Sequence, residues 1–340
     1  MNTTAAKILS AFSDALNLHN SNPEFIQAKH QAQIYNPWFT QESIEQSIEG
    51  WQYALSSQSR ETWLKALPVS HEKKTEKLGI IGAGNIPFVV MHDIISACIS
   101  GYSLALKLSS DDNVLPKIWL KLTEEILSES LNITFADQLK DVDRVIATGS
   151  NNTHRYFEYY FRNKPNILRK NRHSVAVLPQ ADALTKDQIM GLGSDIFAYF
   201  GMGCRNVTQI FVPRNFDFAQ LFPLWEIEFG ELVNHHKYVN NYDYHKALLL
   251  MNLDPHIDAG FVLFKERNTL HAPVGMVNYT FYDDIKDVQE YLNEHRDEIQ
   301  CVVSEKTKIE GLPFGTAQKP NLWDYADGVD TLKWLNSAVL

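Results

Sequence analysis

Residues 78–161 carry the pattern that leaves the fewest folds open. Leu78-Gly79-Ile80-Ile81 is a short apolar run. After it come the loop Gly82-Ala83-Gly84-Asn85-Ile86-Pro87, a helix-period stretch from Phe88 to Ser100, and a second run, Tyr102-Ser103-Leu104-Ala105-Leu106-Lys107-Leu108. The alternation continues with a helical pattern from Pro116 to Leu127 and a strand pattern, Asp143-Arg144-Val145-Ile146-Ala147. A turn, Thr148-Gly149-Ser150-Asn151-Asn152, then leads into a helical pattern from Thr153 to Phe161. Apolar strands joined by helix-length crossovers lie parallel, with helices covering the sheet. The prediction for this region is a doubly wound α/β unit.

The flanks extend that reading. Residues 5–16, 23–34 and 41–55 place apolar side chains at three- and four-residue spacing and predict helices, with Thr40 as an N-cap and Glu42 in the first turn. The charged stretch 70–77 reads as a surface connection. From Arg172 a second α/β series begins: a strand Ser174-Val175-Ala176-Val177-Leu178, a helix from Leu184 to Phe200, and a strand ending at Pro213. Segments 221–239, 242–251, 260–265, 274–281, 285–294 and 299–303 continue it, and a loop from Leu312 leads to a closing helix. The expected division is 1–170, 171–311 and a C-terminal segment 312–340 returning to the first part.

Composition excludes several classes. With 44% hydrophobic and 21% charged residues the 340-residue chain reads as soluble and large enough for two domains. Three widely separated cysteines give no disulfide framework and point to a reducing compartment. The first residues lack a basic stretch followed by an apolar one, and no run of about 18 apolar residues occurs, so neither a signal peptide nor a membrane span is expected and a cytoplasmic location is. A net charge of −10 disfavours nucleic acid as a partner.

One short stretch carries the chemistry, Tyr199-Phe200-Gly201-Met202-Gly203-Cys204-Arg205-Asn206-Val207. Its cysteine falls between a helix and a strand, with glycines for access and an arginine beside it. A thiolate nucleophile needs that openness and a local positive field. The competing reading is a small buried hydrophobe. Cys98, in Ile94-Ile95-Ser96-Ala97-Cys98-Ile99, and Cys301, opening Cys301-Val302-Val303, both read as core. His235, His236 and His245 lack metal-ligand spacing and read as surface or packing residues, so no metal is expected.

The glycine loop is not a standard dinucleotide fingerprint, because Pro87 occupies the third glycine position. Asn85 in that loop can donate its amide to an oxyanion or serve as a turn residue. The following strand ends Lys107-Leu108-Ser109-Ser110 with no carboxylate, which suits a 2′-phosphate better than a bare ribose hydroxyl; a solvated strand end is the alternative for Lys107. Thr148-Gly149-Ser150 opens a helix after a strand, a general phosphate-binding geometry.

Taken in order, these motifs resemble the aldehyde dehydrogenase superfamily, and within it the acyl-CoA reductase branch, the LuxC-like fatty-acyl reductases. Asn85-Ile86-Pro87-Phe88 is similar to the Asn-x-Pro loop whose asparagine helps form the oxyanion hole. Lys107-Leu108-Ser109 is similar to the Lys-Pro-Ser strand end, Thr148-Gly149-Ser150 to the Thr-Gly-Ser turn, and Gly201-Met202-Gly203-Cys204 to the Gly-Gln-x-Cys nucleophile segment. Asn240-Asn241-Tyr242-Asp243-Tyr244 and the tail from Phe314-Gly315-Thr316-Ala317-Gln318 through Trp323-Asp324-Tyr325-Ala326-Asp327-Gly328-Val329-Asp330 are similar to the reductase branch in particular.

The resemblance implies an aldehyde dehydrogenase-like α/β fold: a helical lead-in and a Rossmann-like NADP-binding domain over 1–170, and a second α/β domain over 171–311 carrying the nucleophile. It implies Cys204 and Asn85 as catalytic residues, and Lys107, Ser109, Thr148, Gly149 and Ser150 as cofactor contacts. It implies reduction of an acyl thioester, acyl-CoA or acyl-protein, to an aldehyde with NADPH, with NADH as the alternative. A homo-oligomer and an acyl-activating partner enzyme belong to the same expectation. Where oxidative members carry a Glu-Leu-Gly-Gly segment, this chain has Arg169-Lys170-Asn171-Arg172, with no carboxylate to activate a deacylating water. The shorter chain leaves the oligomerisation flap and the acyl pocket open. CoA-acylating aldehyde oxidation, acyl-phosphate reduction and a non-catalytic scaffold remain alternatives.

Overall fold

A computed structural model describes residues 3–65, 67, 73–180 and 184–337. The chain divides into two compact units, Met1–Asn171 with Lys319–Leu340, and Arg172–Gln318.

The first unit opens with α1 (Thr3–Leu16), α2 (Pro23–Tyr35), α3 (Gln41–Ala54) and α4 (Ser57–Leu64). Local chemistry sets their starts. The Asn22 side chain accepts the N–H groups of Glu24 and Phe25 ahead of Pro23, and the Thr40 hydroxyl accepts Ser43 N–H, as expected. Of the predicted 70–77 connection, 70–72 lie outside the described residues and Lys77 already belongs to a strand.

Then follow β1 (Lys77–Ile81), α5 (Met91–Ile99), β2 (Ser103–Lys107), α6 (Leu115–Leu127), β3 (Ile133–Phe135), β4 (Arg144–Thr148), α7 (Asn151–Phe161) and β5 (Asn166–Arg169). Among the described residues they form a five-stranded sheet in the order β3-β2-β1-β4-β5, parallel throughout. The central strands are apolar on both faces, with Leu78, Ile80, Leu104 and Ile146 buried, because helices cover both sides. On one side the core is aromatic: Phe12 of α1 and Phe88 both meet Trp119 of α6 edge to face. The strand order reverses between β1 and β4, which opens a crevice at the carboxyl ends of those strands.

The second unit contains β6 (His173–Val177), α8 (Lys186–Phe197), β7 (Val207–Pro213), α9 (Phe222–Phe229), α10 (His236–Met251), β8 (Ile257–Asp258), β9 (Leu263–Glu266), β10 (Met276–Tyr282), α11 (Ile285–Glu294) and β11 (Ile299–Ser304). Its sheet has the order β11-β6-β7-β10-β9-β8, parallel except for the β8–β9 pair. A capping box between Thr185 and Gln188 starts α8.

The chain returns to the first unit at Lys319 rather than at Leu312. Hydrogen bonding explains the shift: Leu312 exchanges backbone bonds with Val302 and Ser304, and Gly315 and Ala317 donate to the Asp195 carboxylate of α8. In the first unit the return ends in α12 (Thr331–Asn336). Arg169 donates to the Thr331 hydroxyl at 3.1 Å, and Arg144 donates to the carbonyls of Trp334 and Ser337 at 2.9 and 2.7 Å.

Candidate active site

In the first unit, the structure brings six of the sequence-selected residues to one edge of the sheet. Asn85 lies in the loop after β1, Lys107 ends β2 with Ser109 just beyond, and Thr148 ends β4 ahead of Gly149 and Ser150. Since β2, β1 and β4 are neighbours, these groups line the carboxyl ends of adjacent strands, roughly 5 Å apart from strand to strand.

Each loop has a physical reason for its course. Gly82 N–H donates to Lys107 C=O at 3.0 Å, tying the loop start to β2. At Gly84 a Cβ would fall 2.6 Å from the Ser109 hydroxyl oxygen, so only glycine allows this approach. Asn85 itself is exposed. Phe88 has φ +61°, a left-handed conformation that keeps α5 from starting before Met91, although the apolar period begins at Phe88. Phe88 N–H donates to Asp112 Oδ2 at 2.7 Å, and the Ser47 hydroxyl donates to Pro87 C=O at 2.8 Å. Burial pushes the Asp112 carboxyl up to about 8, with the Phe88 bond pulling the other way.

Lys107 is exposed. The Ser109 hydroxyl accepts Asp111 N–H at 3.2 Å and caps a short 3-10 turn. The Ser150 hydroxyl accepts Thr153 N–H and caps α7. The two serines expected at the cofactor therefore also shape their own turns.

In the second unit, Cys204 sits on the turn between α8 and β7, and its side chain is exposed. Cys98 is buried, and burial raises its thiol far above the ordinary range. Cys301 is only half-buried and lies 3.1 Å from the Ser174 hydroxyl, short of the full core position its apolar neighbours predict.

Three successive residues ahead of the turn, Tyr199, Phe200 and Gly201, have φ of 51°, 58° and 77°. Left-handed backbone at two aromatic residues is strained and persists only where the surroundings hold it. Here Asn206 holds it. This fully buried side chain accepts Gly203 N–H at 2.7 Å and donates to the carbonyls of Asp195, Ile196 and Ala198. The Ser174 hydroxyl donates to Cys204 C=O at 2.9 Å, and Arg205 Nε donates to Ala317 C=O at 2.6 Å. Gly203 N–H is thus committed to Asn206. The cavity behind the turn, lined by Phe200, Gly201, Tyr238, Val262 and Met276, has a volume of about 20 Å³, room for a water and not for an acyl chain.

Sequence reasoning singled out Cys204 and Asn85 as candidates but not the residues that hold their turns, Asn206, Asp195, Asp112 and Ser47. Asn206 had a local signal, an amide two residues past the cysteine in a glycine turn. The other three act across long sequence separations. His235 accepts Tyr238 N–H and caps α10, in keeping with a packing role. Among the described residues no three metal-ligating side chains cluster, and no helix is long and apolar enough to cross a membrane.

A five-stranded parallel sheet with helices on both faces, followed by a second α/β unit, is the fold seen in solved aldehyde dehydrogenases. Aldehyde dehydrogenase C of Pseudomonas syringae, solved with NAD+ and octanal, is similar with a TM-score of 0.65 at 11% identity, over 89% of this chain and 72% of that one. Indole-3-acetaldehyde dehydrogenase AldA of P. syringae, solved with NAD+ and IAA, gives 0.64 at 13%, over 93% and 75%. A Mycobacterium tuberculosis aldehyde dehydrogenase with NAD+ gives 0.63 at 14%, over 90% and 74%. At these identities the likeness is one of fold. No protein-family model matches the sequence, and no curated protein does.

Proposed function

We propose that this protein reduces an acyl thioester, a fatty acyl-CoA foremost, to an aldehyde with NADPH, through an acyl-Cys204 intermediate. The observation that carries the reading is the exposed Cys204 thiol on a strained turn that Asn206 holds. Cys204 thiolate adds to the thioester carbonyl carbon, the bond to the CoA sulfur breaks, and CoA leaves as thiolate. The Cys204 N–H and the Asn85 amide stabilise the oxyanion; each such donor is worth about 10²–10³ in rate. A bound reduced nicotinamide supplies the hydride. The thiohemiacetal on Cys204 then collapses to the aldehyde and returns the thiolate, so one hard step becomes two. Arg169, where oxidative members of the superfamily have the start of their Glu segment, supplies a guanidinium buried against Asp93 and no carboxylate of its own to activate water. Two neighbours in fold were solved with NAD+ as cysteine-to-alanine variants, one of them with octanal, an eight-carbon aldehyde.

The first unit fits a dinucleotide. The exposed Lys107 at the end of β2 and the N-terminus of α7 at Ser150 after β4 flank β1 at the crevice edge, where phosphates are favoured. Lys107, Ser109 and the Thr148–Ser150 turn would hold it. Lys107 and Ser110 favour NADPH. The exposed carboxylate of Asp111, one residue further on, supports NADH as the second reading. A homo-oligomer and an acyl-activating partner complete the proposal.

Intact-protein mass after mixing with a panel of acyl-CoAs tests this. Wild type is expected to gain the acyl mass and lose it on adding NADPH or NADH, and Cys204→Ala to gain none and turn over nothing. Full activity in Cys204→Ala overturns the reading. An adduct from acyl phosphate alone, or acyl-CoA made from aldehyde but never consumed, moves it to the sister chemistries. No adduct and no nucleotide binding moves it to a scaffold.

A further inference from the structure

The segment bearing Asn85 is gripped on both sides while Asn85 itself is exposed. On one side Gly84 lies against Ser109 too closely for a Cβ. On the other, the buried Ser47 hydroxyl donates to Pro87 C=O, and the next residue, Phe88, is left-handed with its N–H on Asp112. The Phe88 ring is wedged among Phe25 and Trp119, which fixes the far end of the turn in the core.

We propose that Asp112 is a positioning residue for Asn85: its buried carboxyl, through Phe88 N–H and together with the Ser47 hydroxyl on Pro87, fixes the turn that presents the Asn85 amide. This rests on the reading of Asn85 as an oxyanion donor.

Packing alone does not explain Asp112. The residue is 2% exposed, and among the described residues Oδ1 has no hydrogen-bond partner. Burying a carboxyl with one partner is unfavourable where an apolar residue would fill the space. What it supplies is an acceptor aimed from beyond β2 at the loop after β1, where a left-handed phenylalanine needs its N–H held. Burial pushes the carboxyl up to about 8 and so favours its protonated form. The latch therefore needs the shape and the acceptor rather than the charge, and an amide can replace it.

Three variants test this. Asp112→Asn keeps shape and acceptor and is expected within about threefold of wild-type kcat, whereas Asp112→Leu loses the acceptor and about 10²-fold in kcat, as for a lost oxyanion donor, with nucleotide Kd unchanged. In an Asn85→Ala background the Asp112→Leu loss is expected to vanish, because both act on one group. Hydrogen exchange over residues 83–90 gives a readout independent of activity, and Asp112→Leu is expected to lose protection there and not in β2 or β4. Wild-type kcat and protection in Asp112→Leu, or a loss that adds fully to that of Asn85→Ala, overturns the proposal. If wild type reduces no acyl thioester, the functional reading falls, and exchange alone decides the latch: local deprotection supports it, unchanged protection overturns it. If Asp112→Leu does not fold, Ser47→Ala, which removes the other grip, is read the same way.

Discussion

Asp195 illustrates how much of the Cys204 region hangs on one buried carboxylate. It accepts the N–H groups of Gly315 and Ala317 while its backbone carbonyl takes an Asn206 bond. Burial pushes its carboxyl up to about 7, against the pull of the two N–H groups and Arg205. The folded state thus holds this proton more tightly than the unfolded chain, where the ordinary value is 3.8. Its contribution to stability is present below about 4 and is lost as pH rises toward about 7. Thermal unfolding across pH 5–8 should show wild type losing ground relative to Asp195→Asn, which cannot titrate. A constant difference in Tm between the two would count against this assignment. None of this was legible in the sequence. Cys204 announced itself through its glycine neighbours, but Asp195 is one residue of an apolar helix until the tail, 120 positions later, folds back onto it.

Among the elements, those with strong local signals were readable. Thr40 and Pro23 mark helix starts, and β1, β2 and β4 are apolar runs between turn residues. The short strands β3 and β5 were not foreseen, because three or four residues leave no period to read, and their pairing with β2 and β4 makes them strands. Asn240-Asn241 looked like a break, yet α10 runs through it, since Asn241 bonds Lys237 C=O one turn back rather than capping an end. The tail's grip on α8 was equally invisible. At Gly191 a Cβ would lie 2.8 Å from the Phe314 backbone, and facing Gly315 has φ +84°. Gly191→Ala is therefore expected to force the tail off the helix and destabilise the protein by about 1–3 kcal/mol, the usual range for overpacking. Urea denaturation with an unchanged midpoint would refute the contact.

For the chain taken entire, the order of motifs carried the fold further than residue identity, which is 11–14% to the solved neighbours named above. The point of return to the first unit was misjudged because Leu312 to Ala317 have no local mark of which unit they pair with. The return is held by Leu322, Leu332 and Leu335, buried in the first unit's core, and by polar contacts. Arg169 pairs with Asp93 at 2.5 Å, both buried, and reaches Thr331, while Arg144 and Tyr102 bond the last carbonyls of α12. Asp93→Ala removes the carboxylate from a buried guanidinium and is expected to destabilise the first unit by about 3–5 kcal/mol. Differential scanning calorimetry reads it directly, and a loss below about 1 kcal/mol, typical of an exposed pair, would show the pair to be solvated.

The second unit is one uninterrupted stretch, Arg172–Gln318, set inside the first. During synthesis, Arg144 and Arg169 leave the ribosome long before Thr331 and Trp334 exist. At ordinary translation rates the wait is about 10–40 s. The nascent sheet must spend that interval with two guanidinium groups that have their earlier partners, Asp93 and Glu76, but not those of the closing segment, while the inserted unit has its entire sequence available to fold. Completion of the first unit therefore waits for α12, which is made only after the whole inserted unit.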